Sequence, residues 1–325
     1  MKASVNKRYG SPEVLEILDI PIPAPQSGEI LVKVYATTVN RTDACALRAH
    51  PFFMRLSSGL LRPKRTVLGL DFAGTVEASG IDVTEFMQGD RVFGLTPEGC
   101  GAHAEYLCLS EDAAISKMPE GKRFDQVVVC EGAWYANTYL KKFGLKKGHK
   151  ILIYGASGAI GTAAVQLAKI YGAEVTAIVS QPHLELARQL GADQVVDYTA
   201  EDFTQIGDRF DFVLDAVGKT SFFKCRSLLK PSGVFAATDL GAWWQNVFLS
   251  IWSSIIGSGR VVMPMPQSDR PFINFLKEKM ETGEFRPVID RTYALSDIAD
   301  VYRYVESEQK TGIVVVRVAS ADPTQ

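Results

Sequence analysis

The chain has 325 residues, of which 46% are hydrophobic, and a formal net charge of −2 at pH 7. This length and composition allow two hydrophobic cores, so two domains are expected. The balanced charge and the absence of a basic run give no support to nucleic-acid binding, and five cysteines without repeated spacing argue against a disulfide framework.

Membrane and export signals are also missing from the sequence pattern. The apolar run 247–256 contains three serines and is too short to span a bilayer, so a buried helix is expected there. The N-terminal residues M-K-A-S-V-N-K-R lack the apolar core of a signal peptide. We therefore expect a cytoplasmic protein with no membrane partner.

The first 120 residues carry the pattern of short β-strands separated by glycine and proline turns. This pattern predicts a mainly β domain, barrel-like or partly open. The predicted strands are 14–17, 29–36, 67–76, 90–94 and 104–109.

After residue 120 the pattern changes to alternating strands and helices. A helix is predicted over 124–142, and the later helices are 182–190 and 220–229. Such alternation implies βαβ units and a doubly wound parallel sheet of the Rossmann type, within an α/β protein. The strands predicted for this sheet are 151–154, 174–179, 194–198, 209–217, 233–238 and 260–265.

A glycine-rich turn joins the first of these strands to a helix, in the run K-I-L-I-Y-G-A-S-G-A-I-G that ends at Gly161. Gly158 allows the backbone to approach a ligand, and Gly161 allows the helix to pack tightly on the strand. Ala156 departs from the strict G-x-G-x-x-G pattern, but the βαβ context predicts a dinucleotide site. The predicted cofactor-binding residues of this turn are Gly155, Ala156, Ser157, Gly158, Ala159, Ile160 and Gly161.

The C-terminal elements break the alternation. A helix is predicted over 269–283, an extended segment over 287–293, a helix from residue 295 and a strand over 312–318. This pattern indicates that the chain returns to its first domain. The expected organisation is a substrate domain made of 1–120 and 268–325, with a dinucleotide-binding domain at 121–267.

Several motifs in this order resemble those of the medium-chain dehydrogenase/reductase superfamily, and in particular its zinc-free quinone oxidoreductase (zeta-crystallin-like) branch. The resemblance implies a GroES-like substrate domain and NADP(H) or NAD(H) bound in the cleft between the domains. The motifs are N-R-T-D at 40–43, G-L-D-F-A-G at 69–74, L-G-A-D at 190–193, D-A-V-G at 215–218, L-K-P-S-G at 229–233 and P-V-I-D-R at 287–291.

The resemblance also bears on metal binding. Zinc-dependent relatives carry cysteine at the position of Asn40 and a His-Glu pair at Leu70-Asp71, and the four cysteines of their structural zinc lobe are missing here. A catalytic zinc needs three ligands of the histidine, cysteine or carboxylate type. Cys100, Cys108 and His103 form an incomplete set, so no metal is expected.

The second predicted strand of the nucleotide domain ends in I-V-S-Q, without the acidic residue that typically binds the ribose of NAD. NADPH is therefore favoured, and use of NADH stays open. The resemblance adds Ser180 and Tyr198 as contacts of the 2′-phosphate, and Ala216, Val217 and Gly218 as further cofactor contacts. At the position where relatives carry a basic residue near the 2′-phosphate, this chain has Pro182. His183 or Arg188 is expected to take the place of that basic residue. Instead of contacting the 2′-phosphate, Tyr198 could be a strand residue that packs at the edge of the sheet.

The reaction expected from the resemblance is hydride transfer to a quinone or an α,β-unsaturated carbonyl compound. The amide of Asn40 is the candidate hydrogen-bond donor to the acceptor's oxygen. Asp43 either orients this turn or a water molecule, or it caps a helix. Tyr135 stands where relatives have a threonine, and it either acts as a hydrogen-bond donor or reshapes the pocket by its bulk. Ile313 stands where relatives have a polar residue.

The aromatic residues Phe52, Phe53, Trp243, Trp244 and Phe248 either line an acceptor site or pack in the core.

Two other functions remain open at this stage. One is an NADPH-binding, crystallin-like protein with little catalysis, and the other is a zinc alcohol dehydrogenase. The expected partner is a small hydrophobic electrophile. Because relatives commonly pair through the outer strand of the nucleotide domain, a homodimer through 260–265 is also expected.

Overall fold

The computed structural model describes residues 1–96, 100–256, 260–265 and 270–319. The chain forms two compact units, Met1–Glu131 with Ser268–Gln325, and Gly132–Gln267. The first unit thus continues eleven residues beyond the predicted boundary at 120. These residues belong to it because Phe124 stacks on Tyr35, with ring centroids 4.5 Å apart, and lies under the Arg91 guanidinium.

The first unit is a mainly β structure built from both ends of the chain. Its larger sheet has the order β14-β15-β3-β4-β5-β7, with β6 on β3, and β1 pairs with β2. The strands are β1 (Lys2–Asn6), β2 (Leu15–Asp19), β3 (Glu29–Thr38), β4 (Asp71–Ser79), β5 (Arg91–Leu95), β6 (Tyr106–Ser110), β7 (Ile115–Lys117), β14 (Ile289–Ala294) and β15 (Ile313–Arg317). Antiparallel pairing of β15 with β3 brings the C-terminal segment back to the first domain, as the sequence predicts.

Four α-helices lie in the described part of the first unit. They are α1 (Arg41–Arg48), α2 (Arg55–Ser58), α8 (Arg270–Glu281) and α9 (Ile298–Glu306). The predicted helix 269–283 is therefore found from residue 270, and position 269 lies outside the described residues. Both α8 and α9 contact the sheet of this unit. On α9, Ile298, Val301, Tyr302 and Val305 are buried at helical spacing.

The second unit contains a parallel sheet with the strand order β10-β9-β8-β11-β12-β13. This order is that of a doubly wound Rossmann sheet, so the predicted fold class is confirmed. The elements are α3 (Cys130–Phe143), which begins at the unit boundary, β8 (Lys150–Tyr154), α4 (Ala159–Ile170), β9 (Glu174–Val179), α5 (Leu184–Gln189), β10 (Gln194–Asp197), β11 (Phe210–Asp215), α6 (Phe222–Cys225), β12 (Leu229–Ala237), α7 (Gln245–Ile255) and β13 (Val261–Val262).

Some predicted elements differ from the observed ones. The N-terminal strand β1 was not expected, and the helix predicted from residue 124 begins at Cys130, after a separate 3₁₀ turn at Phe124–Gln126. The strand predicted over 260–265 is reduced to β13. Pro264 follows it and has no N–H for a further ladder bond.

The expectation that 247–256 forms a buried helix is wrong. On α7 the polar residues Asn246 and Ser253 are buried, whereas Ile251, Trp252 and Ile255 are 54%, 61% and 72% exposed. The buried residues are held by hydrogen bonds, since Asn246 donates to Asp239 and Ser253 accepts from the N–H of Val261. The helix therefore turns its apolar side outward. No helix in the described ranges is long and apolar enough to cross a membrane.

Candidate functional site

The glycine-rich turn lies between β8 and α4, in the middle of the parallel sheet. Gly155 has φ +76°, a left-handed conformation that favours glycine. A Cβ on Gly161 would lie 2.1 Å from the carbonyl oxygen of Gly155 and 2.7 Å from the Cα of Ala156. Glycine is therefore required at 161 by the close packing of the turn on the first turn of the helix.

Gly158 is different, because the protein does not require glycine there. Its φ is −78°, and a Cβ would meet its nearest neighbours, including the oxygen of Gly155, only at 3.8 Å. The residue is the N-cap of α4, whose first turn carries no acidic side chain. The first amides of a helix have no partners within the helix and form its positive end. An open backbone at this point fits the diphosphate of a dinucleotide.

The loop after β11 is organised by Asp215, the first residue of the D-A-V-G motif, to which the sequence analysis gave no role. Its carboxylate accepts hydrogen bonds from the N–H groups of Val217, Gly218 and Thr220, at 3.1, 2.8 and 2.8 Å. Burial raises the pKa of Asp215, and these amide donors act in the opposite direction. An aspartate at the end of a predicted strand, two residues before V-G, is the sequence signal that could have indicated this role. Asp215 thus fixes the backbone of Val217 and Gly218, two of the three residues predicted to contact the cofactor. The third, Ala216, is buried, and its N–H donates to the carbonyl oxygen of Tyr154 at 3.0 Å.

At the end of β9, Ser180 and His183 lie together. The hydroxyl of Ser180 is 3.1 Å from Nδ1 of His183, whereas Arg188 pairs with Glu185 on the exposed side of α5. Of the two basic residues considered from the sequence, His183 is therefore the one beside Ser180. Tyr198 follows the edge strand β10 and is 47% exposed, with its ring 5.8 Å from that of Tyr154.

In the first unit, Asp43, Asp71 and Glu131 are 2%, 0% and 4% exposed, and we call them the carboxyl cluster. Oδ1 of Asp71 accepts the N–H of Glu131 at 2.8 Å, and Oδ2 accepts the hydroxyl of Thr38 at 2.8 Å. Burial and the nearby Glu131 carboxyl raise the pKa of Asp71 to about 7. Asp71 therefore connects β4, β3 and the start of α3 through one buried side chain.

Asn40 contacts this cluster in a way that differs from the sequence-based expectation. Its Nδ2 donates to the hydroxyl of Thr38 at 2.7 Å and to Oδ2 of Asp71 at 3.4 Å. Its Oδ1 is buried and has no hydrogen-bond partner. Both amide hydrogens are thus directed at the protein, and Asn40 has none left to donate to a ligand.

Asp43 has the capping contact that was one of its two expected roles. Its Oδ2 accepts the N–H of Asn40 at 2.8 Å at the start of α1, and burial raises its pKa well above the ordinary value. Glu131 accepts the hydroxyl of Thr42 at 2.6 Å. Burial also raises the pKa of Glu131, and the positive charge of Lys310 acts against this rise. Lys310 lies just before the glycine of K-T-G-I, and the sequence analysis passed over it.

His103 and the two nearby cysteines do not come together as metal ligands. Nε2 of His103 is 2.9 Å from the carbonyl oxygen of Thr38, and Nδ1 is 3.4 Å from the hydroxyl of Tyr302. Burial lowers the pKa of His103 to about 4. Within the part of the chain that the structure describes, no group of three or more His, Cys, Asp or Glu residues has the arrangement of a metal site.

Tyr135 lies on α3 in the second unit, apart in sequence from the Asn40 turn of the first. It is half-buried, with its ring centroid 5.2 Å from that of Trp134. One turn later, Tyr139 is buried and donates to the carbonyl oxygen of Ala237 at 3.0 Å. The hydroxyl of Tyr139 is thus used in packing, and Tyr135 is the more accessible phenol of this helix.

The aromatic residues considered for an acceptor site are not core residues. The alternative that they pack in the core is wrong, because all five are exposed. The exposed fractions are 68% for Phe52, 46% for Phe53, 95% for Trp243, 43% for Trp244 and 64% for Phe248.

Two family profiles match the chain. One is described as "Alcohol dehydrogenase GroES-like domain" and matches residues 26–120, and the other is described as "Zinc-binding dehydrogenase" and matches residues 190–316. These matches cover the β-rich start and the second half of the chain. They are the two parts between which the glycine-rich turn lies.

Full-length relatives and solved structures are similar to the whole chain. The "NADPH-dependent alkenal/one oxidoreductase, chloroplastic" of Arabidopsis thaliana is 32% identical over 97% of this chain and 79% of that protein. The mouse "NAD(P)H oxidoreductase RTN4IP1, mitochondrial" is 31% identical over 98% and 89%. The quinone oxidoreductase from Coxiella burnetii has a TM-score of 0.87 at 27% identity, covering 98% and 99% of the two chains. Since the relatives include organellar proteins, a cytoplasmic location remains a prediction.

Proposed function

We propose a reaction for this chain on the premise that it belongs to the quinone oxidoreductase branch of the medium-chain dehydrogenase/reductase superfamily. Its relatives include an "NADPH-dependent alkenal/one oxidoreductase", a "2-methylene-furan-3-one reductase" and a human "Quinone oxidoreductase". The chain is an NAD(P)H-dependent oxidoreductase of this kind. The proposed reaction is metal-independent reduction of a quinone or an α,β-unsaturated carbonyl compound by NADPH. The observation that carries it is the open backbone at Gly158 where α4 begins.

The chain's own residues have three tasks in this proposal. NADPH, when bound, supplies the hydride. The amides of the first turn of α4 hold the diphosphate, and Asp215 fixes the loop beside them. Thr38 and Asp71 hold the amide hydrogens of Asn40, so Asn40 is proposed to orient its turn and not to donate to the acceptor's oxygen. The phenol of Tyr135 is the candidate donor to the oxygen that gains negative charge.

Metal independence is supported by the side chains at the positions of the family's zinc ligands. Asn40 and Leu70 are poor zinc ligands, and both carboxylate oxygens of Asp71 already accept hydrogen bonds within the protein. Elemental analysis of the purified chain tests this point. Stoichiometric zinc together with alcohol oxidation would establish the zinc dehydrogenase instead.

The reaction is tested by following NADPH absorbance with 9,10-phenanthrenequinone, 1,4-benzoquinone and a set of enones. We expect turnover with at least one of these electrophiles and no oxidation of simple alcohols. If the chain binds NADPH and turns over none of them, the proposal fails and the crystallin-like binding function is favoured.

The preference for NADPH rests on Ser180, since no acidic residue ends β9 and His183 lies beside the serine. Ser180→Asp is expected to lower the ratio of kcat/KM for NADPH to that for NADH by at least about tenfold, because a carboxylate repels the 2′-phosphate. Gln189→Asp adds the same charge on the exposed side of α5 and is expected to leave the ratio unchanged. An unaltered ratio in Ser180→Asp would show that another group recognises the 2′ position.

We also propose that the chain is a homodimer through α7 and the adjacent edge strand β13. The apolar side of α7 carries Phe248, Ile251, Trp252 and Ile255 at a spacing of three and four residues, all outward. Isologous pairing would bury this stripe against its own copy. Sedimentation equilibrium is expected to show a dimer that Ile251→Ser/Ile255→Ser dissociates, and a monomeric native chain would exclude it.

A further inference from the structure

A second exposed apolar region lies in the first unit and differs from α7 in its charge. Between Asp43 and Asp71 the sequence has five lysines and arginines and no acidic residue. Four of the five fall within residues 52–65, together with six large apolar residues. We call residues 52–65 the basic–apolar loop. It contains a 3₁₀ turn at Phe52–Met54 followed by α2.

The apolar side chains of this loop are turned outward. Beside the two phenylalanines already described, Leu56, Leu60 and Leu61 are 78%, 58% and 85% exposed. Arg62, Lys64 and Arg65 are exposed as well. A patch of large apolar side chains next to cations is rare on a freely soluble surface and is typical of an interaction site.

The loop is nevertheless held firmly on the unit that carries it. The hydroxyl of Tyr9 donates to the carbonyl oxygen of Gly59 at 2.8 Å and lies 2.8 Å from the hydroxyl of Ser58. The N–H of Lys64 donates to the carbonyl oxygen of Ser58 at 2.8 Å. The Arg55 guanidinium lies 4.9 Å from the centroid of the Tyr9 ring and 5.0 Å from that of Phe52. Tyr9 and the hydrogen bonds within the loop thus hold its backbone in place, while its apolar side chains point outward.

We propose that the basic–apolar loop docks the protein on an anionic lipid surface. The exposed phenylalanines and leucines enter the interfacial region of the bilayer, and Arg62, Lys64 and Arg65 lie at the lipid phosphates. The expectation of no membrane partner depended on the absence of a spanning segment, and surface docking needs none. Apolar quinones and long-chain enones dissolve in bilayers, but the docking itself does not depend on the proposed reaction.

Charge favours lipid over a second copy of this chain at this loop. An isologous interface places the same surface on both partners, so the three exposed basic residues Arg62, Lys64 and Arg65 would face their own copies without an acidic residue of the loop between them. A surface of phosphatidylserine supplies the opposite charge to each of them. The uncharged side of α7 has no such repulsion, and this is why self-association is assigned to α7.

The test is co-sedimentation of the full chain with vesicles of phosphatidylcholine alone and of phosphatidylcholine mixed with phosphatidylserine. We expect binding to the mixed vesicles that weakens as salt is added. Leu60→Ser/Leu61→Ser and Arg62→Glu/Lys64→Glu are each expected to weaken it by at least about tenfold. Ile81→Ser, at a residue 96% exposed, and Lys146→Glu/Lys147→Glu are the matched controls and are expected to bind as the native chain does.

Several outcomes would overturn the proposal. One is no sedimentation of the native chain with anionic vesicles, and another is an equal loss in the control variants. A dimer that dissociates in Arg62→Glu/Lys64→Glu would assign the loop to self-association. Unchanged vesicle binding in the loop variants together with a raised KM for a soluble quinone would assign it to the acceptor. Circular dichroism and thermal unfolding confirm that each variant is folded.

Discussion

Gly158→Val is expected to weaken NADPH binding by at least about 100-fold while the protein stays folded. A Cβ at this position meets only ordinary contacts at 3.8 Å, and φ is −78°, which valine adopts readily. The branched side chain would instead occupy the space in front of the first amides of α4. Fluorescence titration with NADPH measures the affinity, and thermal unfolding measures the stability.

Gly161→Val is the matched control, three residues further along the same turn. Its Cβ would lie 2.1 Å from the carbonyl oxygen of Gly155, so the fold itself must shift. We expect this variant to lose stability, whereas Gly158→Val loses affinity alone. If Gly158→Val bound NADPH as tightly as the native chain, the turn would not be the diphosphate site.

Asp71→Ala is expected to lower the free energy of unfolding by about 3 kcal/mol or more. The change removes the acceptor for the N–H of Glu131 and for the hydroxyl of Thr38, and it leaves Nδ2 of Asn40 with one partner fewer. These donors are buried, so water does not replace the lost bonds at no cost. Urea unfolding measures the effect, and Asp112→Ala at an exposed position is the control.

Asp71→Asn tests the charge of the same residue, through the pH dependence of stability. The pKa of Asp71 is raised in the folded protein to about 7 from 3.8. Well below pH 3.8 the carboxyl is protonated in both states. As the pH rises from about 4 to 7, the unfolded state releases this proton first, so ionisation of Asp71 favours unfolding. Above pH 7 both states are ionised and the loss is complete.

The free energy of unfolding of the native chain, minus that of Asp71→Asn, is therefore expected to fall between pH 4 and 7 and to level off above it. Burial lowers the pKa of His103 to about 4, so the titration of His103 changes stability with pH in the opposite direction. Because His103 is present in both proteins, its titration cancels in the difference. A flat difference would show that Asp71 ionises in the folded protein as it does in the unfolded chain.

The position of Asp71 also explains why the amide of Asn40 faces inward. Thr38 donates its hydroxyl to Asp71 and accepts from Asn40, so the three side chains form one chain of hydrogen bonds. The predicted role of Asn40 as a donor assumed that its amide was free. A change at Asp71 is therefore expected to act on the orientation of Asn40 as well as on stability.

Local patterns of the sequence determined the parallel sheet, the glycine-rich turn and the return of the chain to its first domain. Strand and helix periods, and a glycine such as Gly161 that close packing requires, depend on residues near one another in the sequence. The resemblance of ordered motifs then identified the family. These features needed no knowledge of the partners of any one side chain.

Only the tertiary structure decided which polar atoms find their partners within the protein. Asp71 meets Thr38 and Glu131 across 33 and 60 residues, because β3 and β4 pair in one register and α3 begins beside them. The apolar side of α7 faces outward because Asn246 and Ser253, on its other side, form hydrogen bonds with Asp239 and Val261. A buried polar side chain takes the partners that its neighbours offer, and the fold chooses those neighbours.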